Sequence, residues 1–389
     1  MIYPKIILKE GKEKSVLRFH RWIFSGAVGT LPEVLKNGDW VEVFSADDRY
    51  LATGYFQDGN IAVRIVSFNK TEIDAAFWEQ KISGAIALRE RMGYFSDPGT
   101  NCFRLVNGEG DELPGLIIDW YNGTAVIQSH SEGIIRSVPD IVECLKNVLG
   151  SKIQAIFHKP SYPYNIDNPG ELLFGSPTKS TVSENGLTFH INLEKGQKTG
   201  YFLDQRENRL SIRKFSAGAS MLDAFCYAGG FAANALAGGA AHADAVDLAP
   251  VAIELTEKNL TVNNFSGKFD LIQEDVLKFL QASKNNYDLI VLDPPAYAKH
   301  LSARHNAVQG YKRLNQVAMS RISRGGILFT FSCSQVVDKV LFENTIVAAA
   351  IEAGRMARVL YRLSQPADHP VNIFHPESEY LKGLVLRVE

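Results

Sequence analysis

Over the first 70 residues, apolar and polar positions alternate in short runs. The segment WVEVFSADDRYLATGYFQ alternates on both sides of an Asp-Asp turn, as paired hairpin strands do, and IAVRIVSF continues the pattern. A small β-rich domain is predicted over residues 1–72, with one helix near RFHRWIFSGAV. The period then changes. Phe77, Ile82 and Ile86 recur at helical spacing within DAAFWEQKISGAIALRERMG. Strands around Gly/Pro turns (RLVNGEGDELPGLIIDWYNGTAVIQSH), a helix over 134–149, a strand (QAIFHK) and a loop (PSYPYNIDNPGE) follow, which reads as a small α+β domain over 73–185. From 186 onward, near-continuous apolar strands alternate with helices. SMLDAFC, HADAVDL, FDLIQED, YDLIVLDPP and GGILFTFSCS are the strands, and GGFAANALAGG and VAIELTEKNLTVNN are two of the helices. Strands of that kind are buried on both faces, so an α/β, Rossmann-like doubly wound sheet is predicted over 186–389.

Composition changes this picture little. With 389 residues, 46% hydrophobic and 22% charged, the chain has ordinary globular content and enough length for more than one core. No apolar run is long enough to span a bilayer and no signal-peptide pattern opens the chain, so a cytoplasmic protein without a membrane partner is expected. Cys102, Cys144, Cys226 and Cys333 form no CxxC pair, so no metal is expected and the thiols are read as free. The net charge of −2 is neutral on nucleic-acid binding. By segment, residues 1–72 hold ten basic and nine acidic side chains, 73–185 nine and fourteen, and 186–389 twenty-two and twenty. Any RNA contact therefore depends on local basic patches.

Candidate chemistry lies at the ends of the predicted parallel strands, where such sheets bind ligands. Asp223 ends the first, and Gly229 and Gly230 open the next helix, where glycines let backbone N–H groups approach a ligand. GxGxxG is missing, so a dinucleotide is a poor match. Asp247, ending the second strand, is placed to accept from both hydroxyls of a ribose, and Asp275, ending the third, from an adenine amine. Each is equally readable as a helix N-cap when taken alone; three in register favour a cofactor pocket. Asp293-Pro294-Pro295 closes the fourth strand with a rigid turn that holds its carboxylate at the sheet edge.

DAFCYAGGF, AVDL, QED and LDPP, in this order, resemble the motifs of the Rossmann-like S-adenosylmethionine-dependent methyltransferases. GQKTGYFLDQRENR resembles a further motif of RNA base methyltransferases. With WIFSGAV, RLVNGEGDELPGLIIDWY and PESEYLKGLVLRV, the chain resembles the large-subunit (23S) ribosomal RNA cytosine-5 methyltransferases that carry an N-terminal PUA domain. That resemblance implies an S-adenosylmethionine pocket made by Phe225 and Gly229, Asp247 at the ribose, Asp275 at the adenine and Asp293 near the methionine end. It also implies that Asp204, Gln205 and Arg206 close over the cofactor, that RNA is the substrate, and that a homodimer is common.

Methylating carbon 5 of a pyrimidine requires a thiolate to add at carbon 6 and a base to remove the carbon 5 proton. Cys333, in FSCS at a polar strand end, is placed for the first role; a buried structural thiol is its bland alternative. The sequence after the DPP turn reads AYAK and offers no second cysteine, so a carboxylate is expected as base: Glu377 first, with Glu379 and Asp293 behind it. Lys299, His300, Arg304, His305, Lys312 and Arg313 form a basic stretch that suits RNA or a solvated helix face equally. Arg18, His20, Arg21 and Trp22 suit RNA backbone and stacking contacts. Two other functions stay open: an amino-group methyltransferase stacking an aromatic on its base, for which Tyr297 is displaced by Ala296, and a non-catalytic RNA-binding assembly factor.

Overall fold

The computed structural model describes residues 3–161, 170–176, 181–193, 196, 198–298 and 300–389. Most of the predicted loop over 160–171, and Lys299, lie outside them. The chain divides into two compact units that do not follow its order. One holds residues up to Val182 together with Ile191–Leu203 and Ala367–Ser378; the other holds Ser183–His190, Asp204–Pro366 and Glu379–Glu389.

The N-terminal unit begins with a six-stranded sheet of β1 (Lys5–Leu8), β2 (Trp22–Phe24), β3 (Val28–Thr30), β4 (Trp40–Phe44), β5 (Tyr50–Phe56) and β6 (Ile61–Ser67), in the order β2-β6-β5-β4-β1-β3. Ile6, Val41, Val43, Val63 and Ile65 alternate into its core, as the period-two pattern requires. The expected helix is displaced. It is a single turn, α1 (Lys14–Leu17), and Trp22–Phe24 instead pair with β6. Bulky aromatic and β-branched side chains fit a pleated surface better than a helix.

Next come α2 (Ala75–Arg91), capped by Asp74 accepting from Phe77 N at 2.9 Å, and a second sheet. Its strands are β7 (Cys102–Asn107), β8 (Leu116–Tyr121), β9 (Thr124–Ser129), β10 (Ala155–His158) and β11 (Glu171–Gly175), in the order β11-β10-β9-β8-β7, with α3 (Glu132–Leu149) between β9 and β10. Phe77, Trp78 and Ile82 pack with Phe103, Ile118 and Trp120.

A two-stranded ribbon, β12 (Thr181–Glu184) and β13 (Leu187–His190), precedes the C-terminal sheet. That sheet contains β14 (Ser220–Ala224), β15 (His242–Asp247), β16 (Phe269–Gln273), β17 (Tyr287–Leu292), β18 (Ile322–Ser332), β19 (Ala357–Leu363) and β20 (Lys382–Val388). Its order is β16-β15-β14-β17-β18-β20-β19, and β20 alone runs against its neighbours. Helices α4 (Arg206–Ser211), α5 (Gly230–Ala237), α6 (Pro250–Val262), α7 (Val276–Ala282), α8 (Arg304–Arg321) and α9 (Lys339–Glu352) complete it. The strand order reverses at β14, which opens a crevice at the carboxyl ends of β14 and β17. The doubly wound α/β architecture is as the alternation predicts.

No helix among the described residues is long and apolar enough to cross a membrane.

Candidate active site

β14 carries Asp223 to the carboxyl end of the central strand, and the turn that follows needs unusual backbone. Phe225, Tyr227 and Gly229 have φ of 66°, 48° and 67°. Phe225 N and Cys226 N both donate to Val246 O, at 2.9 and 3.1 Å, which ties the turn to the end of β15. At Gly229 a Cβ would stand 2.6 Å from Cγ2 of Thr256, so both conformation and space demand glycine.

Parallel register then gathers the acidic strand ends. Asp223 lies beside Val291 and Ala224 beside Leu292, so Asp293 follows one residue beyond the end of β14. Asp247 accepts from Tyr227 N at 3.1 Å through Oδ2 and from Ala249 N at 2.9 Å through Oδ1. Asp223 is buried and accepts from Ala232 N in the first turn of α5 at 2.9 Å. Burial, followed by the negative charges of Asp293 and Asp247, nevertheless pushes its carboxyl up to about 7. These three expected site residues are therefore brought within electrostatic reach of one another.

Asp275 follows β16 and caps α7, Oδ1 accepting from Lys278 N at 2.9 Å. The capping role weighed in the sequence is present; a carboxylate has acceptor capacity beyond one such bond. In the upstream motif, Asp204 accepts from the Tyr380 hydroxyl at 2.6 Å and Gln205 from Asn208 at 2.6 Å. Arg206 is buried, with its Nε 3.3 Å from Glu207.

Cys333 stands directly after β18. It is half-buried, whereas Cys102, Cys144 and Cys226 are buried. Burial drives the Cys226 thiol well above its ordinary value, with Asp223 adding to it, and drives Cys144 up to about 12. Beside Cys333, Ser334 donates to Ala298 O at 2.7 Å, which pins the strand end to the segment after the two prolines. Burial, with help from the negative charges of Cys333 and Asp293, raises the Tyr311 phenol to about 12. Tyr297 packs its ring against Tyr311 at 4.7 Å between centroids.

Sequence reasoning missed two neighbours. Tyr380 holds Asp204, and Lys382 sits opposite Ser332 on β20 and donates to Ser334 O at 2.6 Å. Burial lowers the Lys382 ammonium to about 8. The available signal was a lysine directly before the apolar run GLVLRV, where a buried strand leaves no exit to water.

Glu377 belongs to the N-terminal unit, in the short turn Pro376–Ser378, 3.2 Å from His20 Nε2 and 3.7 Å from His375 Nδ1. Cys333 belongs to the C-terminal unit. Against the upward push of burial, a backbone hydrogen bond and His20 hold the Glu377 carboxyl below its usual range. Of the proposed RNA-contact residues, Arg21 is buried and paired with Glu112 at 2.9 Å, and Trp22 donates to Glu109 at 2.8 Å, so both are engaged within the unit. Arg18 is exposed. Lys312 is paired with Glu352 at 2.8 Å, whereas Arg304 and His305 line an open cavity of about 510 Å³ with Asp338 and Asn344.

Residues 104–387 match the S-adenosylmethionine-dependent methyltransferase family, and residues 6–68 match a PUA-like domain. The chain belongs to the S-adenosylmethionine-dependent methyltransferases. Ribosomal RNA large subunit methyltransferase I from Klebsiella pneumoniae is 34% identical over 399 residues, covering 100% of this chain and 99% of the relative. Its namesake from Pseudoalteromonas atlantica is 35% identical over 395 residues, covering 99% of each. Among solved structures, a chain assigned as a SAM-dependent methyltransferase from Streptococcus mutans superposes with TM-score 0.86 at 22% identity over all of both chains. A structure of a methyltransferase assignment complexed with SAH gives 0.87 at 22% identity, again over all of both. At this identity the structural matches speak for the fold.

The strand ends suit the cofactor on their own chemistry. A sulfonium and an ammonium are cations, and an acidic rim whose charges repel one another is relieved by positive charge placed near it.

Proposed function

We propose that the chain methylates carbon 5 of a cytosine in large-subunit ribosomal RNA, with Cys333 as the transient nucleophile. The observation that carries this reading is the position of Cys333: the one half-exposed thiol of the four, beyond the end of β18, two strands from Asp223 and one from Asp293. The relatives' names supply the RNA class. Phe225 to Gly229, Asp247, Asp275 and Asp293 would hold the cofactor, with Asp204, Gln205 and Arg206 closing over it.

The Cys333 thiolate adds to carbon 6 of the cytosine, and the displaced electron pair makes carbon 5 nucleophilic. Bound S-adenosylmethionine supplies an electrophilic methyl group for that carbon. A base then takes the carbon 5 proton; the C5–H electron pair restores the ring double bond and expels the thiolate. Asp293, which follows β17 in the same unit as Cys333, is the carboxylate base in this proposal. The PUA-like domain is the RNA anchor, with Arg18 one of its exposed cations.

The test uses large-subunit ribosomal RNA lacking the modification, followed by nucleoside analysis: 5-methylcytosine supports the proposal, and any other product refutes it. RNA carrying 5-fluorocytosine should trap a covalent adduct on Cys333. An Asp293→Asn enzyme should accumulate the adduct and turn over roughly 10²–10⁴-fold more slowly. The amino-group alternative would have Tyr297, which already packs against Tyr311, stack on the base; a product methylated on an exocyclic amine would favour it.

A further inference from the structure

We propose that Lys382 is the counter-charge that generates the Cys333 thiolate, a positioning and activating role that rests on Cys333 being the nucleophile. A free thiol is only a few per cent ionised at neutral pH, so a cysteine nucleophile needs either a base beside it or a cation that favours the thiolate. The antiparallel strand β20 provides the cation. Its first residue, Lys382, lies opposite Ser332 in the ladder, and its ammonium donates to the Ser334 carbonyl at 2.6 Å. The side chain therefore reaches from one neighbour of Cys333 in sequence to the other.

Its surroundings support the same reading. Lys382 is only 6% exposed. A buried lysine of that kind is uncommon and costly unless a negative charge is created beside it. Burial lowers its ammonium to about 8; the charge of Cys333 is the first influence pulling it back up, ahead of Asp338 and Glu379, while Lys339 pushes it down. Glu379 is itself bonded to Lys339. Tyr311, held protonated by burial, adds no competing charge, and Asp293 acts on Tyr311 from the neighbouring strand end. Beside the Lys382 ammonium the Cys333 proton passes to water: the S–H bond breaks with its electron pair left on sulfur, and an O–H bond forms on the water. The ammonium stays charged while sulfur is bonded to carbon 6, and faces the thiolate again when it is expelled.

The test is alkylation of Cys333 by iodoacetamide across pH in the full chain, read by peptide mass spectrometry. Lys382→Met removes the charge, and Lys382→Gln keeps a donor for the Ser334 carbonyl without the charge, so at least one should fold; S-adenosylmethionine binding is the check. The midpoint for alkylation should rise by about one pH unit or more in both, a roughly tenfold slower reaction at acidic pH, and Lys382→Arg should restore most of it. Methyl transfer should lose kcat at neutral pH and recover it toward high pH, with KM for the cofactor unchanged. Coincident midpoints in wild type and both uncharged variants would overturn the pairing. A Cys333→Ala enzyme that still transfers methyl groups would instead overturn the nucleophile reading on which it rests.

Discussion

Arg104 and Asp119 are buried together in the N-terminal unit, and their charges are fully answered. The guanidinium donates to Asp119 at 2.8 and 3.1 Å, Thr199 donates to the same carboxylate at 2.6 Å, and Asp368 accepts from Arg104 N at 2.8 Å. Arg89 repeats the arrangement with Asp111, at 2.6 and 2.8 Å. In the C-terminal unit, Asp223 is equally buried, yet its charged neighbours are mainly other carboxylates, and its carboxyl rises to about 7. One unit uses buried charge as a fastener with every oxygen engaged; the other concentrates negative charge at strand ends, where a cationic ligand relieves it. A perturbed group beside a crevice and a satisfied pair inside a core are thus told apart by their partners rather than by their burial.

The contrast can be broken in several places. The largest effect should come at the thiols. Cys333→Ala should lower kcat for methyl transfer by about 10³-fold or more, in the range seen when a nucleophile is removed from a concerted site. Cys226→Ala, in the buried cofactor turn, should still form the RNA adduct, as a gel-shift with 5-fluorocytosine RNA would report. An active Cys333→Ala enzyme would dissolve the distinction between the two.

Next in size is the fastener. Arg104→Met leaves Asp119 buried without its guanidinium and should cost about 3–5 kcal/mol, measured by chemical denaturation of the N-terminal transition. A much smaller loss would mean that Thr199 and water satisfy the carboxylate alone.

The strand-end charge should behave in the opposite sense. Asp223 has a folded pKa near 7, above its unfolded value of 3.8. Between those values the folded state holds a proton that the unfolded state has released, so this group's contribution to stability falls as pH rises from about 4 to about 7 and is flat above. Asp223→Asn should therefore be thermally more stable than wild type at pH 8, by on the order of a few kcal/mol, and show little gain at pH 4. It should also bind S-adenosylmethionine more weakly by calorimetry. Equal melting shifts at both pH values would refute the charge account.

The smallest effect belongs to Asp275. Loss of its cap in Asp275→Ala should cost about 1 kcal/mol of stability. Comparing that loss with the change in cofactor affinity separates its two roles, because a pure cap would leave affinity unchanged.

Much of the catalytic domain was legible because parallel strands buried on both faces leave long apolar runs, and their ends expose single polar residues. Asp223, Asp247 and Asp293 stand out in such a text, and register brings them to the same end of the sheet, Asp247 and Asp293 two residues beyond the partners of Asp223. Lys382 was not legible in the same way. Its meaning depends on β20 inserting antiparallel between β18 and β19, a pairing that no local pattern encodes. Nor could sequence show that Arg21 and Trp22 are consumed by Glu112 and Glu109, since a basic-aromatic run reads the same whether it faces solvent or acid.

The sequence by itself determined the order of strands and helices, the strand-end carboxylates and the candidate thiol, because periodicity and turn chemistry are local. Only the tertiary structure decided that Ile191–Leu203 and Ala367–Ser378 join the N-terminal unit, that Glu377 meets His20 and His375 there, and that a buried lysine lies across from the neighbour of Cys333. Those outcomes turn on contacts between residues far apart in the chain, where pairing and burial, rather than local propensity, set which charges meet.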